Sequence, residues 1–219
     1  MPLRVNLPKS ASVAKLTEDG KLFSSSAARN VQAIVSLVRQ RAPMRGNALE
    51  LASGTGQHIV ELARATPGLN WQPTEIDSHR RESINAHVAH TGLSNIALAM
   101  ELDATAPGWS TKNNEQDFIL LANLLHLISE TETKTLIREA SLALAPGGQL
   151  IIYGPFKRNN NLTSEGDLTF HTSLQATDSE IGYKNNEDVF VWGKEKGLTS
   201  SIQIDMPANN LAICWRKPH

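Results

Sequence analysis

Apolar positions along this chain follow two rhythms that alternate from one end to the other. From Ala27, Val31, Ile34, Val35 and Val38 stand at the i, i+3, i+4, i+7 spacing of one helix face, and the run stops before Pro43. A short apolar stretch, Ala48 to Ala52, follows and breaks into Ser53-Gly54-Thr55-Gly56. Helical spacing resumes at Ile59, Leu62 and Ala63 and ends at Pro67-Gly68. "LNWQPTEID" then reads as a strand, followed by a helix from Ser78 with Ile84 and Val88 on one face, closed by Gly92. "NIALAMELD" and "DFILLAN" predict two more strands. Ser129 and Glu132 form the S-x-x-E box that opens a helix carrying Leu136, Ile137, Ala140 and Leu144. Pro146-Gly147-Gly148 ends it, and "QLIIYG" is a fifth strand. A helix around 186–196 ends at Gly197, and strands near 198–205 and 210–216 close the pattern.

Short strands alternating with helices of this length predict an α/β fold, a doubly wound parallel sheet. The last two strands are joined only by "MPANN", which leaves no room for a crossover, so they must pair antiparallel. Residues 1–26 read as an N-terminal arm and 27–219 as a single domain. Segment 156–185 breaks the alternation with a polar stretch longer than an ordinary connection, and reads as a lid-like insertion.

Composition narrows the function classes. The 219 residues suffice for one substantial core. Lys plus Arg number 21 against 22 Asp plus Glu, and no basic run appears, so no nucleic-acid partner is expected. No apolar stretch approaches the ~20 residues of a membrane helix, so no membrane partner is expected either. One cysteine, Cys214 in "LAICW", cannot form an internal disulfide and reads as a strand residue, which with the lack of an apolar leader favours a cytoplasmic location. No metal is expected, and the chain is read as a monomer or homodimer.

The glycine turn after the first predicted strand either brings backbone close to a ligand or packs a helix on the sheet. In open α/β sheets ligands sit outside the carboxyl ends of the strands, and Gly54 and Gly56 permit close approach there. A dinucleotide fingerprint would need a third glycine at position 59, where Ile59 stands, which disfavours an NAD(P)-dependent oxidoreductase. Three acids mark successive strand ends. Glu50 lies within the first strand, where a carboxylate needs a partner. Glu75 follows Gly54 at the ~20-residue offset of a ribose-binding acid. Asp103, followed by the small Ala104, ends the third strand.

"ELASGTG", "TEID", "LDAT", "DFILLANLLHLIS" and "LAPGGQLIIYGPF" resemble the successive motifs of class I S-adenosylmethionine-dependent methyltransferases over about residues 45–155. "AARN", "WQPTEID", "YGPF", "TSEG", "EDV" and "MPANNLAICWR" are similar to a narrower group, the methyltransferase-like twenty-six family, long filed as a domain of unknown function. That similarity runs from about Ala27 to Lys217. The resemblance implies a Rossmann-like seven-stranded sheet, order 3-2-1-4-5-7-6 with strand 7 antiparallel. It implies S-adenosyl-L-methionine as cofactor and S-adenosylhomocysteine as product.

Carried over, the resemblance gives Glu50 the methionine ammonium, through water. The backbone of Ala52, Ser53, Gly54, Thr55 and Gly56 would line the methionine and ribose. Glu75, with Ile76 beside it, would hold the ribose hydroxyls, with Asp77 as an alternative partner. Asp103 and Ala104 would meet the adenine, and Asn123 the methionine end. Arg29 and Asn30 either close over that end or are ordinary first-turn polar residues.

Methyl transfer from a sulfonium depends chiefly on in-line positioning, and a general base is optional. His126 and Tyr153 are the candidates, His126 being as readily a structural histidine. Tyr153, Phe156, Ser164, Phe170, His171, Asn209 and Asn210 are candidate contacts to a small-molecule acceptor. A non-catalytic protein that binds the cofactor as a sensor or scaffold remains the second class.

Overall fold

The computed structural model describes residues 11, 13–17 and 19–219. Of the predicted arm, residues 1–10, 12 and 18 lie outside them. The rest of the arm forms a small antiparallel hairpin, β1 (Lys15–Leu16) with β2 (Leu22–Phe23), and leads into α1 (Ser25–Arg41). Ser24 caps α1 through its side chain, and its own N–H donates to Gln57 Oε1 at 2.6 Å.

The chain then runs β3 (Gly46–Leu51), α2 (Gln57–Ala65), β4 (Leu69–Pro73), α3 (Ser78–Ala89) and β5 (Gln116–Ala122). It continues through α4 (Glu130–Ala143), β6 (Leu144–Pro155), α5 (Glu165–Thr177), α6 (Asn186–Glu195), β7 (Thr199–Asp205) and β8 (Asn210–Arg216). Ser129 starts α4 with both bonds of its capping box, Ser129 N–H to Glu132 Oε2 and Glu132 N–H to Ser129 Oγ.

Six strands form the main sheet in the order β4-β3-β5-β6-β8-β7. The first four are parallel; β8 pairs antiparallel with β6 and β7, as the short 206–209 connection requires. Helices cover both faces, so the central strands are apolar on both sides. Leu49, Leu51, Ile119, Leu121, Leu150 and Ile152 pack with Leu136, Ile137 and Ala140 of α4 and Trp192 of α6. Their alternating neighbours Ala48, Phe118, Leu120, Ile151 and Tyr153 pack with residues of α1, α2 and α3 on the opposite face.

One expectation is corrected. The sheet has six strands, not seven. Residues 95–100 run parallel beside β4 and exchange backbone bonds with it at Trp71, Pro73 and Glu75, yet make only isolated bridges. The cause is local: Pro73 has no N–H to donate to the ladder, and the Ala99 N–H goes to Asn85 Oδ1 at 2.8 Å, so Met100 rather than Ala99 donates to Pro73 O. Segment 156–185, expected as a lid-like insertion, contains a 13-residue helix, α5, and Leu174, Ile181, Tyr183 and Ala11 are buried in a small core of their own. Among the described residues, no helix is long and apolar enough to cross a membrane.

Candidate functional site

At the carboxyl ends of β3, β5 and β6 lies a cleft of about 420 Å³, bounded by the start of α1, α5 and the 206–210 turn. Its floor is the glycine turn. Ala52, Gly54 and Gly56 all take positive φ (51°, 62° and 92°), so the chain reverses sharply between β3 and α2. Side chains fix the turn from behind: Ser83 Oγ donates to Thr55 O at 2.7 Å, and Thr74 Oγ1 to Glu50 O at 2.9 Å.

The two glycines do different work. A Cβ on Gly56 would stand 2.8 Å from Ile84 Cα, so Gly56 is needed to seat α2 against α3. A Cβ on Gly54 would meet nothing nearer than Arg80 Nη1 at 3.6 Å. Gly54 faces the cleft with its backbone uncovered, and Gly56 does not line it.

Glu75 is clamped to this turn. Its Oε2 accepts Gly54 N–H at 3.0 Å, and its Oε1 accepts the N–H groups of Ile76 (2.9 Å) and Asp77 (3.2 Å). Burial raises its pKa, opposed by these bonds and by Arg80. Glu50 lies behind the turn, 1% exposed and outside the cleft lining, with Oε2 unpartnered. Burial pushes its pKa up to about 8, aided by the charge of Glu75 and opposed by Ser53. At neutral pH it is mostly the neutral acid.

Of the other candidates, Arg29, Asn30, Ala52, Ser53, Thr55, Asn123, His126, Tyr153, Phe170 and Asn210 line the same cleft. Ile76, Asp103, Ala104, Phe156, Ser164, His171 and Asn209 do not. Asp103 accepts the N–H and hydroxyl of Thr105, at 2.9 and 2.6 Å. Burial would raise its pKa, but hydrogen bonds, those from Thr105 among them, hold it below the ordinary value. Ala104 is buried and its carbonyl accepts Trp109 Nε1. Asp77 is spent as the N-cap of α3.

Phe156 belongs to the core on the α4 face, because an odd step from Tyr153 along an extended chain reverses the side chain. Ser164 caps α5 at the surface, and His171 Nδ1 accepts Tyr183 N–H at 3.1 Å, a structural bond. Asn209 ties the 206–210 turn to Asp167 Oδ2 at 3.2 Å.

The far wall of the cleft is made of side chains. His126, on a 3-10 turn over Leu125–Leu127, packs edge-on against Phe170 and Tyr183 with ring centroids 5.7 and 6.1 Å away. Its Nδ1 has no partner, and burial with nearby Lys184 pushes its pKa down to about 3. Tyr153 is 1% exposed and its hydroxyl is also unpartnered, with its pKa pushed up to about 12 by burial. Both groups are neutral in ordinary buffers. His58, Arg80, Asp167 and Tyr183 also line the cleft, and the sequence reading did not single them out. His58 meets Asn30 across 28 residues and Tyr183 meets Asp167 across 16, separations that no local spacing marks.

The family described as "Protein of unknown function (DUF938)" matches residues 21–217. Solved structures similar to this chain include the S-adenosylmethionine-dependent methyltransferase SibL in its apo form (TM-score 0.73, 20% identity, 89% of this chain and 56% of that one). An O-methyltransferase family protein from Burkholderia thailandensis superimposes with TM-score 0.72 at 18% identity, over 88% of this chain and 57% of the other. Human N-acetylserotonin methyltransferase in complex with S-adenosylmethionine gives 0.71 at 15%, over 89% and 53%. This chain thus spans a little over half the length of each, and what they share at these identities is the fold.

Proposed function

The chain belongs to the DUF938 family, and we propose that it is an S-adenosylmethionine-dependent methyltransferase acting on a small-molecule acceptor. One observation carries the reading: the uncovered backbone of Gly54, with the Glu75 carboxylate held against its N–H, forms the floor of a cleft at the strand ends. An acid fixed beside an open main-chain turn suits a ligand with vicinal hydroxyls. The buried, unpartnered Tyr153 hydroxyl, which lines the cleft, is a group for which a polar ligand would supply a partner.

In this reading the Gly54 turn and Glu75 hold the nucleoside part, and Asn123, Arg29 and Asn30 border the methionine part. The cofactor, when bound, supplies an electrophilic methyl group and leaves as S-adenosylhomocysteine. The protein's own contribution is positioning and exclusion of water by the wall of Phe170, Tyr183 and Leu127. His126, with its pKa near 3, is too weak a base to take a proton effectively at neutral pH. It serves instead as a neutral hydrogen-bonding group that orients the acceptor.

The likeness of fold to methyltransferases supports this reading over the alternatives. Gly56, spent on packing against Ile84, and Ile59 in place of a third glycine give a dinucleotide no tight phosphate seat. The test is incubation of the protein with S-adenosylmethionine and a small-molecule extract, read by S-adenosylhomocysteine formation. Turnover above the protein-free control supports transfer. Saturable cofactor binding with no turnover on any extract would instead favour the sensor or scaffold reading.

A further inference from the structure

Three cleft residues from distant parts of the chain form a chain of polar groups. His58 on α2 is buried, and its Nε2 lies 2.7 Å from Asn30 Oδ1 on α1. A carbonyl oxygen only accepts, so His58 must carry its proton on Nε2 and donate it to Asn30. Burial keeps His58 neutral, its pKa pushed down to about 4, so the arrangement does not titrate near neutrality. With Oδ1 engaged, the Asn30 carboxamide turns its Nδ2 hydrogens the other way.

Asn30 is the polar neighbour that opposes the rise in the Tyr153 pKa, and the buried Tyr153 hydroxyl has no hydrogen-bond partner in the protein. An O–H buried without an acceptor carries a desolvation cost that a ligand oxygen would relieve. Both Tyr153 and Asn30 line the cleft.

We propose that Tyr153 Oη and Asn30 Nδ2 form a two-donor site for a carboxylate or carbonyl oxygen, with His58 as the positioning residue that fixes the Asn30 carboxamide. The ligand atom must be an acceptor, since both groups offer protons. A ligand ammonium has no lone pair to give them, and a thioether is a poor acceptor. Two sources could present such an oxygen: the amino-acid carboxylate of the cofactor, or a carboxylate or carbonyl of the methyl acceptor. The cofactor source rests on the methyltransferase reading; the oxygen site itself does not.

The test is calorimetry with three probes: S-adenosylhomocysteine, its analogue lacking the carboxylate, and benzoate, the last with and without S-adenosylhomocysteine present. Tyr153→Phe removes only the hydroxyl. His58→Leu removes the donor to Asn30, and His58→Gln restores an N–H. A cofactor source predicts that wild type favours S-adenosylhomocysteine over its analogue by at least about tenfold. That preference should fall to within threefold in Tyr153→Phe and His58→Leu and be largely restored in His58→Gln. An acceptor source predicts an unchanged preference, with benzoate affinity falling at least fivefold in the same two variants and recovering in His58→Gln. If neither quantity moves in Tyr153→Phe with its melting temperature retained, the proposal is overturned. Failure of wild type to bind S-adenosylhomocysteine would defeat the methyltransferase reading instead, and benzoate alone would then decide the oxygen site.

Discussion

The two walls of the cleft are built by opposite means. On the β3–β4 side the site is main chain: the turn at Ala52–Gly56, with Glu75 held by three backbone N–H groups and Ser83 and Thr74 bracing the turn. On the β5–β6 side it is side chain: Tyr153 and His126 bury polar atoms that find no partner in the protein. The groups of the first wall that face the cleft are held in place by the protein itself, with the unpartnered Glu50 Oε2 lying behind the turn. The second is left open, and there the fold bears the cost of desolvated groups. A main-chain site tolerates little change in backbone but specifies its ligand broadly. A side-chain site can be altered atom by atom, which suits the half of the cleft that would choose an acceptor.

The sharpest break in this contrast comes from the two glycines. Gly56→Ala would place a Cβ 2.8 Å from Ile84 Cα at φ +92°. Left-handed backbone costs ~1–2 kcal/mol and overpacking ~1–3 kcal/mol, so a loss of roughly 2–5 kcal/mol is expected in denaturant unfolding. Gly54→Ala carries only the backbone cost, ~1–2 kcal/mol. Equal losses in the two variants would mean that the division of labour is wrong.

Next in size is Glu75→Gln, which sets an amide against three backbone donors. It should cost about 1–3 kcal/mol of stability, the scale of a buried donor left unsatisfied. Binding of S-adenosylmethionine should weaken by about tenfold or more, equivalent to ~1.4 kcal/mol. Calorimetry giving wild-type affinity would remove Glu75 from the site.

The smallest effect is a pH profile. Glu50 has a folded pKa near 8, above the unfolded carboxylate value of ~4.3. Between those values the folded state binds more protons than the unfolded chain, so its contribution is full below ~4.3 and is lost as pH rises toward 8. His58 and His126 have the opposite sign, with folded pKa values near 4 and 3, below the unfolded ~6.5. Their contribution is full above ~6.5 and is lost as pH falls below it. Glu50→Gln should therefore flatten the decline in melting temperature between pH 6 and 8 and leave the acid limb in place. A variant with an unchanged alkaline limb would show that Glu50 is not the group responsible.

The main-chain wall was also the wall that sequence could read. Strand, glycine turn and acid are local or separated by a regular offset, so periodicity and spacing carried β3, α2 and Glu75. Where the reading failed, a side chain had overridden a pattern. Residues 95–103 are apolar enough for a strand, but Pro73 cannot donate to a continuous ladder and the Asn85 side chain takes the Ala99 N–H that would have answered it. Helix α5 was missed because threonines and serines dilute its apolar spacing and only His171 and Leu174 are buried. Phe156 was taken for a cleft residue, although its odd separation from Tyr153 already implied the opposite face. The side-chain wall joins Asn30, His58, His126, Tyr153, Asp167 and Tyr183, and no spacing within one stretch foretells that meeting.

The most direct test of the central claim is titration of S-adenosylmethionine and NAD into the folded wild type and Gly54→Val by calorimetry. In Gly54→Val a branched side chain would stand over the uncovered backbone. The account predicts saturable one-to-one binding of S-adenosylmethionine and none of NAD to wild type. It predicts loss of that binding in a Gly54→Val protein that still unfolds cooperatively. Normal binding by folded Gly54→Val, or no binding by wild type, would contradict it.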